Sequence, residues 1–447
     1  MTRRIIVAIL RFAMRVYFRR VEVVGLEHVP RQSPVIFVLN HPNALVDPAF
    51  LLSLAPRRVS FLAKSPLFRM PVLGYLVRAM DSLPVYRRQD EGEDVSKNLE
   101  MFVAARALLA RGGTIGICPE GVSHDEPRLR PIKTGAARIA LGAVSTGEVA
   151  ELKVVPAGLY YTSKTKFRSA VLLYFGKPLE VTPVDMDLDG NPPRAAVKEL
   201  SHRIECALRE VMLDAEHEEA LQTISQAERI FSSEADDDGD ESLAEELQLL
   251  QRFVKAYRVL QERAPERLRR LEVRMRRFEE ELMQAGVDPD DLSPPKSTLD
   301  VFAHLLSRGL LFLVLIGPAT LGFVVHYPAY RLGGYLATRI SKNDDDVIST
   351  VKIMSAMLLF PLTWLAAAAA GYQLEGWILA LVAVLLIPAA GYLAILFFEG
   401  FDRFRGGLRA LAFFLVRRRF FVRLLAERQA IRNEILALGE ETASLSQ

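Results

Sequence analysis

The stretch from residue 21 to residue 182 alternates short apolar runs with segments of helical periodicity. The apolar runs are continuous in Val, Ile and Leu, which is typical of strands covered on both faces. Strands that alternate with helices form mostly parallel sheets flanked by helices. The pattern therefore predicts an α/β domain with a mostly parallel sheet. The predicted strands are VEVVG, PVIFVLN, RVSFLAK, SLPVYR, TIGICPEG, LKVVPAGLYY and RSAVLLYFG, and the predicted helices begin near Pro48, Asn98 and Thr134.

Residues 191–296 form a second region, which is rich in charge, helical in its periodicity and poor in strand signals. An acidic break is predicted at 234–242 and a turn-rich linker at 286–297. We interpret the charges as solvated helix faces, with α-helices following the sheet domain.

Residues 297–400 are predicted to form a membrane region. The segments 353–371 and 376–398 are uncharged and long enough to cross roughly 30 Å of hydrocarbon. A third apolar segment, 309–330, is predicted to be re-entrant or shallow. The basic helical tail at 401–447 is expected on the cytoplasmic side, because cationic residues that flank membrane spans are enriched there.

The first 20 residues, MTRRIIVAILRFAMRVYFRR, place arginines at helical spacing among apolar side chains. No small-residue cleavage site follows, so the segment is not typical of a signal peptide. Its all-cationic polar face favours a helix lying on an anionic membrane surface. The alternative is an amphipathic helix packed on its own domain.

Composition narrows the function. The formal net charge is only +2, so nucleic acid is not an expected partner. The mean hydropathy is +0.16, and the apolar excess is concentrated after residue 308. The two cysteines, Cys118 and Cys206, have no metal-binding spacing. We therefore predict neither a metal nor a cofactor.

Three predicted strands end in loops that carry polar residues, and the first of these loops is NHPNALVDP. His41 in this loop is suited to act as a general base near neutral pH if a carboxylate orients its other ring nitrogen. Asp47 is the nearest carboxylate. Asp47 is also predicted to cap a helix with Pro48 at its first position, and this interpretation is compatible with the pairing. Six positions along a straight helix would place the two side chains on different faces, so the loop itself must bring them together.

The other two loops carry residues suited to a phosphate. Arg87 follows SLPVY, Glu120 and Gly121 follow TIGICP, and Lys133 precedes the next helix. Arginine binds phosphate through two parallel hydrogen bonds, and glycine permits close approach to the backbone. Glu120 is expected to accept a hydroxyl hydrogen bond or to hold an arginine. In open α/β sheets the carboxyl ends of strands form the binding edge, so these residues are expected beside the His41 loop.

Four segments carry a resemblance to a known family. NHPNALVDP, LPVYR, CPEGVS and VVPAGLYY resemble, in order and spacing, the four blocks of glycerolipid acyltransferases acting on glycerol-3-phosphate and lysophosphatidate. The loop has one residue more than usual between His41 and Asp47. The longer loop resembles that of the fungal-type glycerol-3-phosphate/dihydroxyacetone-phosphate acyltransferases. The segments KTGAARIAL and KFRSAVLLYFGKPLEV are also similar to that group. The resemblance implies an acyltransferase domain at residues 21–190.

The resemblance also implies roles for individual residues. His41 matches the base that deprotonates the acceptor hydroxyl, and Asp47 matches its orienting carboxylate. Arg87 matches the arginine expected to hold the acceptor phosphate. Glu120 and Gly121 match a pair associated with acceptor binding.

Further positions are carried over with less specific roles. Lys133 and Arg168 are candidates for binding phosphate or coenzyme A, and Pro156 is expected to be structural. Cys118 stands where the family often has phenylalanine. We interpret it as a buried strand residue rather than a nucleophile, so direct acyl transfer is expected. Backbone N–H groups of the helix near Pro48 are the candidate oxyanion stabilisers.

The implied reaction moves a fatty acyl chain from the thioester of coenzyme A or acyl carrier protein, a co-substrate, to glycerol-3-phosphate or dihydroxyacetone phosphate. A cytoplasmic domain and a cytoplasmic tail require an even number of crossings, so two membrane spans are expected. Lysophosphatidate is the alternative acceptor. A different alternative is a catalytically dead, membrane-anchored interaction protein, against which the intact set of polar residues argues.

Overall fold

The computed structural model describes residues 1–232, 242–287, 292, 298–342 and 344–445. All of the predicted acidic break at 234–242 except its last residue, and most of the predicted linker at 286–297, lie outside the described residues. The chain divides into two compact units, each described by itself below. The first unit comprises Met1–Asp214 and Ala337–Ile353, and the second comprises Ala215–Leu336 and Met354–Gln447.

The first unit contains a mixed, mostly parallel sheet with helices on both faces, as predicted. Its strands within the described residues are β1 Arg20–Val24, β2 Val35–Leu39, β3 Ser60–Lys64, β4 Leu83–Val85, β5 Thr114–Ile117, β6 Lys153–Tyr161, β7 Ala170–Phe175 and β8 Leu179–Glu180. They are arranged in the order β1-β7-β6-β2-β5-β3-β4, with β8 paired to β6. Neighbouring strands run parallel except at β6, which is antiparallel to β7 and β8.

The helices of the first unit include two that the sequence pattern does not predict. The α-helices of this unit within the described residues are α1 Thr2–Tyr17, α2 Val46–Leu54, α3 Ser65–Arg69, α4 Pro71–Ala79, α5 Asn98–Ala110, α6 Gly135–Ser145 and α7 Arg194–Val211. The unpredicted helices, α3 and α4, are short and both begin next to a proline. Helix α3 has only five residues, too few to show the helical period that identifies longer helices.

Strand β2 lies at the centre of the core and is buried along its whole length. Ile36 and Val38 face a cluster that includes α5, α6 and α7. Val35, Phe37 and Leu39 face a cluster on the other side of the sheet that includes α1 and α2. Burial of both faces is the reason that this strand is apolar at every position.

The register of the parallel strands brings three loops to one edge. Val38 of β2 pairs with Ile117 of β5, and Lys64 of β3 pairs with Val85 of β4. The loops that follow β2, β4 and β5 therefore leave the sheet on the same side. These are the loops that carry the predicted site residues.

Helix α1 is amphipathic and packs on the first unit along one face. Met14 and Tyr17 are buried in the core. Ile5, Ile9 and Phe12 are 50%, 46% and 66% exposed and form an apolar stripe on the opposite side. The helix thus packs on its own domain and also exposes an apolar face. Its contact with a membrane surface stays a prediction.

The helices after residue 214 are α8 Glu218–Ser232, α9 Leu243–Arg263, α10 Pro265–Ala285, α11 Thr298–Ser341, α12 Asp345–Glu375, α13 Trp377–Val416 and α14 Arg418–Leu445. In the second unit, α8, α9, α10 and α14 share an apolar core. Arg274 of α10 forms ion pairs with Glu427 and Glu434 of α14. Part of the charge predicted to be solvated therefore joins two helices.

Three of the described helices are long and apolar enough to cross a membrane by length and composition: Leu306–Ser341, Asp345–Glu375 and Trp377–Val416. The predicted spans 353–371 and 376–398 lie in α12 and α13. Residues 309–330, predicted to be re-entrant or shallow, lie instead within the continuous helix α11. The chain therefore has three candidate spans where two were predicted, and its orientation stays a prediction.

His326, the histidine of this apolar region, has hydrogen-bond partners on both ring nitrogens. Nδ1 lies 2.8 Å from the carbonyl oxygen of Gly322, and Trp364 Nε1 donates to Nε2 at 2.8 Å. A Cβ on Gly391 would lie 2.6 Å from the ring, so this position requires glycine. The His326 ring joins α11, α12 and α13 within the second unit.

Candidate active site

His41 and Asp47 are in direct contact at the carboxyl edge of the sheet. His41 Nδ1 lies 2.9 Å from Asp47 Oδ2. The Asp47 side chain is fully buried, whereas that of His41 is 18% exposed. The carboxylate accepts from Nδ1, which fixes the ring tautomer and leaves Nε2 as the proton acceptor.

Donors from three places in the chain hold the Asp47 carboxylate. Besides His41, the backbone N–H of Asn43 donates to Oδ2 at 2.7 Å and the Tyr161 hydroxyl donates to Oδ1 at 2.6 Å. These bonds offset the cost of burying a charged carboxylate. Burial and the Asp47 charge raise the pKa of the Tyr161 hydroxyl well above 10, so Tyr161 remains a donor.

Helix α2 begins at Val46, two residues before the predicted start at Pro48. Asp47 is therefore inside the first turn and does not cap it, contrary to the capping prediction. The N–H groups of Val46 and Asp47 donate to the Asn43 carbonyl, and that of Ala49 donates to the carbonyl of the residue four before it. The predicted oxyanion donors near Pro48 are thus already bonded, and this expectation is wrong.

Glu120 is a buried positioning residue. Its Oε1 accepts the backbone N–H of His41 at 3.1 Å, and its Oε2 accepts the backbone N–H of Arg130 at 2.9 Å. Oε2 also contacts Nε2 of the buried His124. Both carboxylate oxygens of Glu120 thus accept hydrogen bonds from protein donors. The Glu120 carboxylate does not contact Arg87, an arginine that it could have bound. Glu120 fixes the backbone of the candidate base instead.

Arg87 is bound to the loop on which it lies and to the turn after β5. Its Nη1 donates to the Gly121 carbonyl at 2.8 Å. Its Nε and Nη2 donate to the two carboxylate oxygens of Asp90 at 2.8 and 2.6 Å. The hydrogen bond from Arg87 lowers the pKa of Asp90, and the charges of Lys64 and Lys133 lower it further. One carboxylate therefore lies among three cations.

Gly121 has a φ of +76°, a left-handed conformation that favours glycine. A Cβ here would lie 2.6 Å from Lys133 Nζ. The expected close approach to the Gly121 backbone is therefore made by the Lys133 side chain. Lys133 and Arg87 thus both contact Gly121, and their predicted role toward a phosphate stays a prediction.

Arg168 lies at the C-terminal end of α1. Its Nη1 donates to the carbonyls of Arg15 and Val16, and its backbone N–H donates to that of Tyr17. These contacts account for the arginine without a substrate. Its predicted role toward phosphate or coenzyme A stays a prediction.

Cys118 lies next to the imidazole and is only partly buried. Burial of His41 disfavours its charged form, but Cys118 and the Asp47 carboxylate outweigh this and raise the pKa of His41 well above 6.5. Cys118 also packs against the core beside α1 and α2. Its description as a buried strand residue is therefore incomplete, because it borders the candidate base.

Three site residues were missed from the sequence: Tyr161, His124 and Asp90. Tyr161 is the last residue of β6, which lies beside β2. A hydroxyl at the end of this strand was the signal that could have identified it. His124 follows Glu120 by four residues, and Asp90 follows Arg87 by three. In the described part of the chain, no group of three or more His, Cys, Asp or Glu side chains is placed to hold a metal ion.

Family models match two parts of this chain. Residues 20–160, which hold the strands that carry the candidate site, match the family model described as acyltransferase. Residues 224–443 match the model of the glycerol-3-phosphate acyltransferase 2 C-terminal domain. The chain therefore combines a segment that matches the acyltransferase model with a segment that matches the glycerol-3-phosphate acyltransferase 2 C-terminal model.

Individual relatives have related names. Glycerol-3-phosphate O-acyltransferase 2 of Saccharomyces cerevisiae is 38% identical over 30% of this chain and 18% of its own length. Glycerol-3-phosphate O-acyltransferase 1 of the same yeast is 28% identical over 49% of this chain and 40% of its own length. The chloroplastic 1-acyl-sn-glycerol-3-phosphate acyltransferase BAT2 of Brassica napus is 31% identical over 33% of this chain and 39% of its own length. The matches thus span less than half the length of each of these relatives.

The substitution Tyr161→Phe tests the support of the buried carboxylate. Removing a hydrogen bond to a buried charged group is expected to lower the free energy of unfolding by about 1.5 to 3 kcal/mol. Urea unfolding of the full chain in detergent measures this. The matched control is Tyr174→Phe on β7, which is expected to change stability by no more than about 0.5 kcal/mol. Equal effects of the two substitutions would contradict the assigned role.

Proposed function

We propose that this protein transfers a fatty acyl chain from an acyl thioester to a hydroxyl of glycerol-3-phosphate. The observation that carries the proposal is the His41–Asp47 pair at a sheet edge that also holds Arg87 and Lys133. A base and a phosphate site together match an acceptor that has both a hydroxyl and a phosphate. The names of the two yeast relatives support the same acceptor.

The reaction begins with proton removal from the acceptor. As the hydroxyl oxygen attacks the thioester carbonyl, Nε2 of His41 accepts its proton. The resulting imidazolium lies against the Asp47 carboxylate, which stabilises its charge. A C–O bond forms, the C–S bond breaks, and the proton on His41 passes to the leaving thiolate. Glu120 contributes by holding the backbone at His41.

The acyl donor is proposed to be acyl-coenzyme A, with the thioester of acyl carrier protein as the alternative. Neither donor requires a metal or a cofactor in the transfer step. The donor and the acceptor phosphate are water-soluble, whereas the acylated product belongs in a bilayer. We therefore place the catalytic domain on the cytoplasmic side of a membrane, where the basic tail at 401–447 is also expected.

Two alternatives remain distinct from this proposal. The Brassica napus relative carries the name of an enzyme for 1-acyl-sn-glycerol-3-phosphate, which favours lysophosphatidate as a second candidate acceptor. A catalytically dead scaffold would transfer no acyl chain at all. The bonds that hold His41 and Asp47 in catalytic geometry argue against it, since a binding scaffold has no need of them.

An acceptor panel tests the proposal. Purified protein is assayed with acyl-coenzyme A and, in turn, glycerol-3-phosphate, dihydroxyacetone phosphate and lysophosphatidate. The highest kcat/KM is expected for glycerol-3-phosphate. His41→Ala is expected to reduce turnover at least about 100-fold, since the general base is lost. The matched control is His202→Ala on exposed α7, which is expected to retain wild-type turnover.

The panel also separates the alternatives. A preference for lysophosphatidate would replace the proposed acceptor. Near wild-type turnover by His41→Ala would contradict the mechanism. No transfer to any acceptor, with either thioester, would favour the dead scaffold.

Cys118→Ala tests for direct transfer against a covalent intermediate. If the acceptor attacks the donor thioester directly, the variant is expected to keep its turnover within about tenfold of the wild type. Quenched reactions with radiolabelled acyl-coenzyme A measure whether label stays on the protein. Cys206→Ala on α7 is the control thiol. Wild-type protein that retains label at Cys118, together with an inactive Cys118→Ala variant, would establish an acyl-enzyme instead.

A further inference from the structure

The Arg87 side chain is bound in the way that arginine binds a phosphate. Its Nε and Nη2 donate in parallel to both oxygens of Asp90, at 2.8 and 2.6 Å. Such two-bond pairing is the geometry that guanidinium groups use for carboxylates and phosphates alike. The side chains are 18% and 12% exposed, so the pair is shielded but within reach of solvent. Asp90 thus occupies the donors that an acceptor phosphate would use.

The surroundings carry more positive charge than one carboxylate neutralises. Lys133 Nζ lies against Gly121, whose carbonyl accepts from Arg87. Lys64 is near enough to act on Asp90 through its charge. Within the described residues, neither ammonium group makes a hydrogen bond or a close ion pair. Three cations around one carboxylate leave a net charge of about +2, which suits a dianion.

Asp90 is also placed to move aside. Asp90 and Arg87 lie in the loop after β4, where the Asp90 backbone N–H donates to the Arg87 carbonyl at 3.1 Å. This main-chain bond holds the turn independently of the carboxylate. Rotation of the Asp90 side chain would therefore release Arg87 without unfolding the loop. Arg87 would remain anchored through Gly121.

We propose that the Asp90 carboxylate occupies the Arg87 donors in the free protein. When the substrate binds, the acceptor phosphate displaces Asp90 from Arg87. The inference rests on the proposed function and adds a determinant of specificity. A monoanionic ligand would replace Asp90 charge for charge and gain little. A phosphate monoester dianion gains a second charge and the two free lysines. Asp90 thereby selects dianionic monoesters over monoanionic diesters and carboxylates.

The substitution Asp90→Asn removes the competing charge and tests this proposal. Inorganic phosphate is the binding probe, measured by calorimetry on the full chain in detergent. Its Kd is expected to fall by up to about fivefold, the range for loss of a partly exposed ion pair. The KM for the phosphate acceptor is expected to fall by a similar factor while kcat stays unchanged. Asp90→Glu, which restores a carboxylate, is expected to bind phosphate as the wild type does.

The control is Asp94→Asn in the same loop, which removes an equal charge. Asp94 accepts from the backbone N–H of Ser96 and has no bond to Arg87, and Asn is also suited to this position. It is expected to leave phosphate binding unchanged. The gain from Asp90→Asn is also expected to vanish in the Arg87→Ala background, because the two residues act as a pair.

Each outcome has one interpretation. If Asp90→Asn binds phosphate as weakly as the wild type or more weakly, Asp90 positions Arg87 and the proposal is overturned. If Asp94→Asn gives the same gain, the effect is general loop charge and the proposal is equally overturned. A wild-type protein without acyl transfer would refute the proposed function, while phosphate binding would still decide the role of Asp90.

Discussion

The buried carboxylate of Asp47 is the interaction on which the rest of the site depends. A charged carboxylate without solvent contact is costly unless donors satisfy it. Here the donors are the His41 ring, the Asn43 backbone and the Tyr161 hydroxyl. The carboxylate thereby connects the loop after β2 with the end of β6 and orients the imidazole. One satisfied charge accounts for both local structure and candidate chemistry.

A second buried acid supports the same base from the other side. Glu120 accepts the backbone N–H of His41, and the backbone N–H of His124 donates to the His41 carbonyl at 3.2 Å. Asp47 thus fixes the ring, while Glu120 and His124 fix the main chain. The next residue, Gly121, directs its carbonyl to Arg87 instead. Adjacent residues after β5 therefore serve the base and the phosphate site separately.

The sequence predicted the sheet well because strands buried on both faces are apolar at every position. The contact between His41 and Asp47 came from family resemblance, since spacing alone does not close a loop. Tyr161 was missed because it contacts Asp47 across 114 positions, a distance that no local pattern reports. The contact of Glu120 with the His41 backbone was not predicted, because a glutamate after a strand was expected to face an acceptor or an arginine. In the structure it is 3% exposed and bonded within the protein.

The pH dependence of kcat/KM, in the wild type and in Asp47→Asn, tests the central claim most directly. His41 must be neutral to accept a proton, and its pKa is raised well above 6.5. Wild-type kcat/KM is therefore predicted to fall as the pH drops through that raised pKa, with the acidic limb above pH 6.5. Asp47→Asn removes a carboxylate that raises this pKa and fixes the tautomer. The kcat/KM of Asp47→Asn is predicted to fall at a lower pH than that of the wild type. Its maximum kcat/KM is predicted to be at least about 100-fold lower. An unmoved limb with a near wild-type plateau would contradict the account.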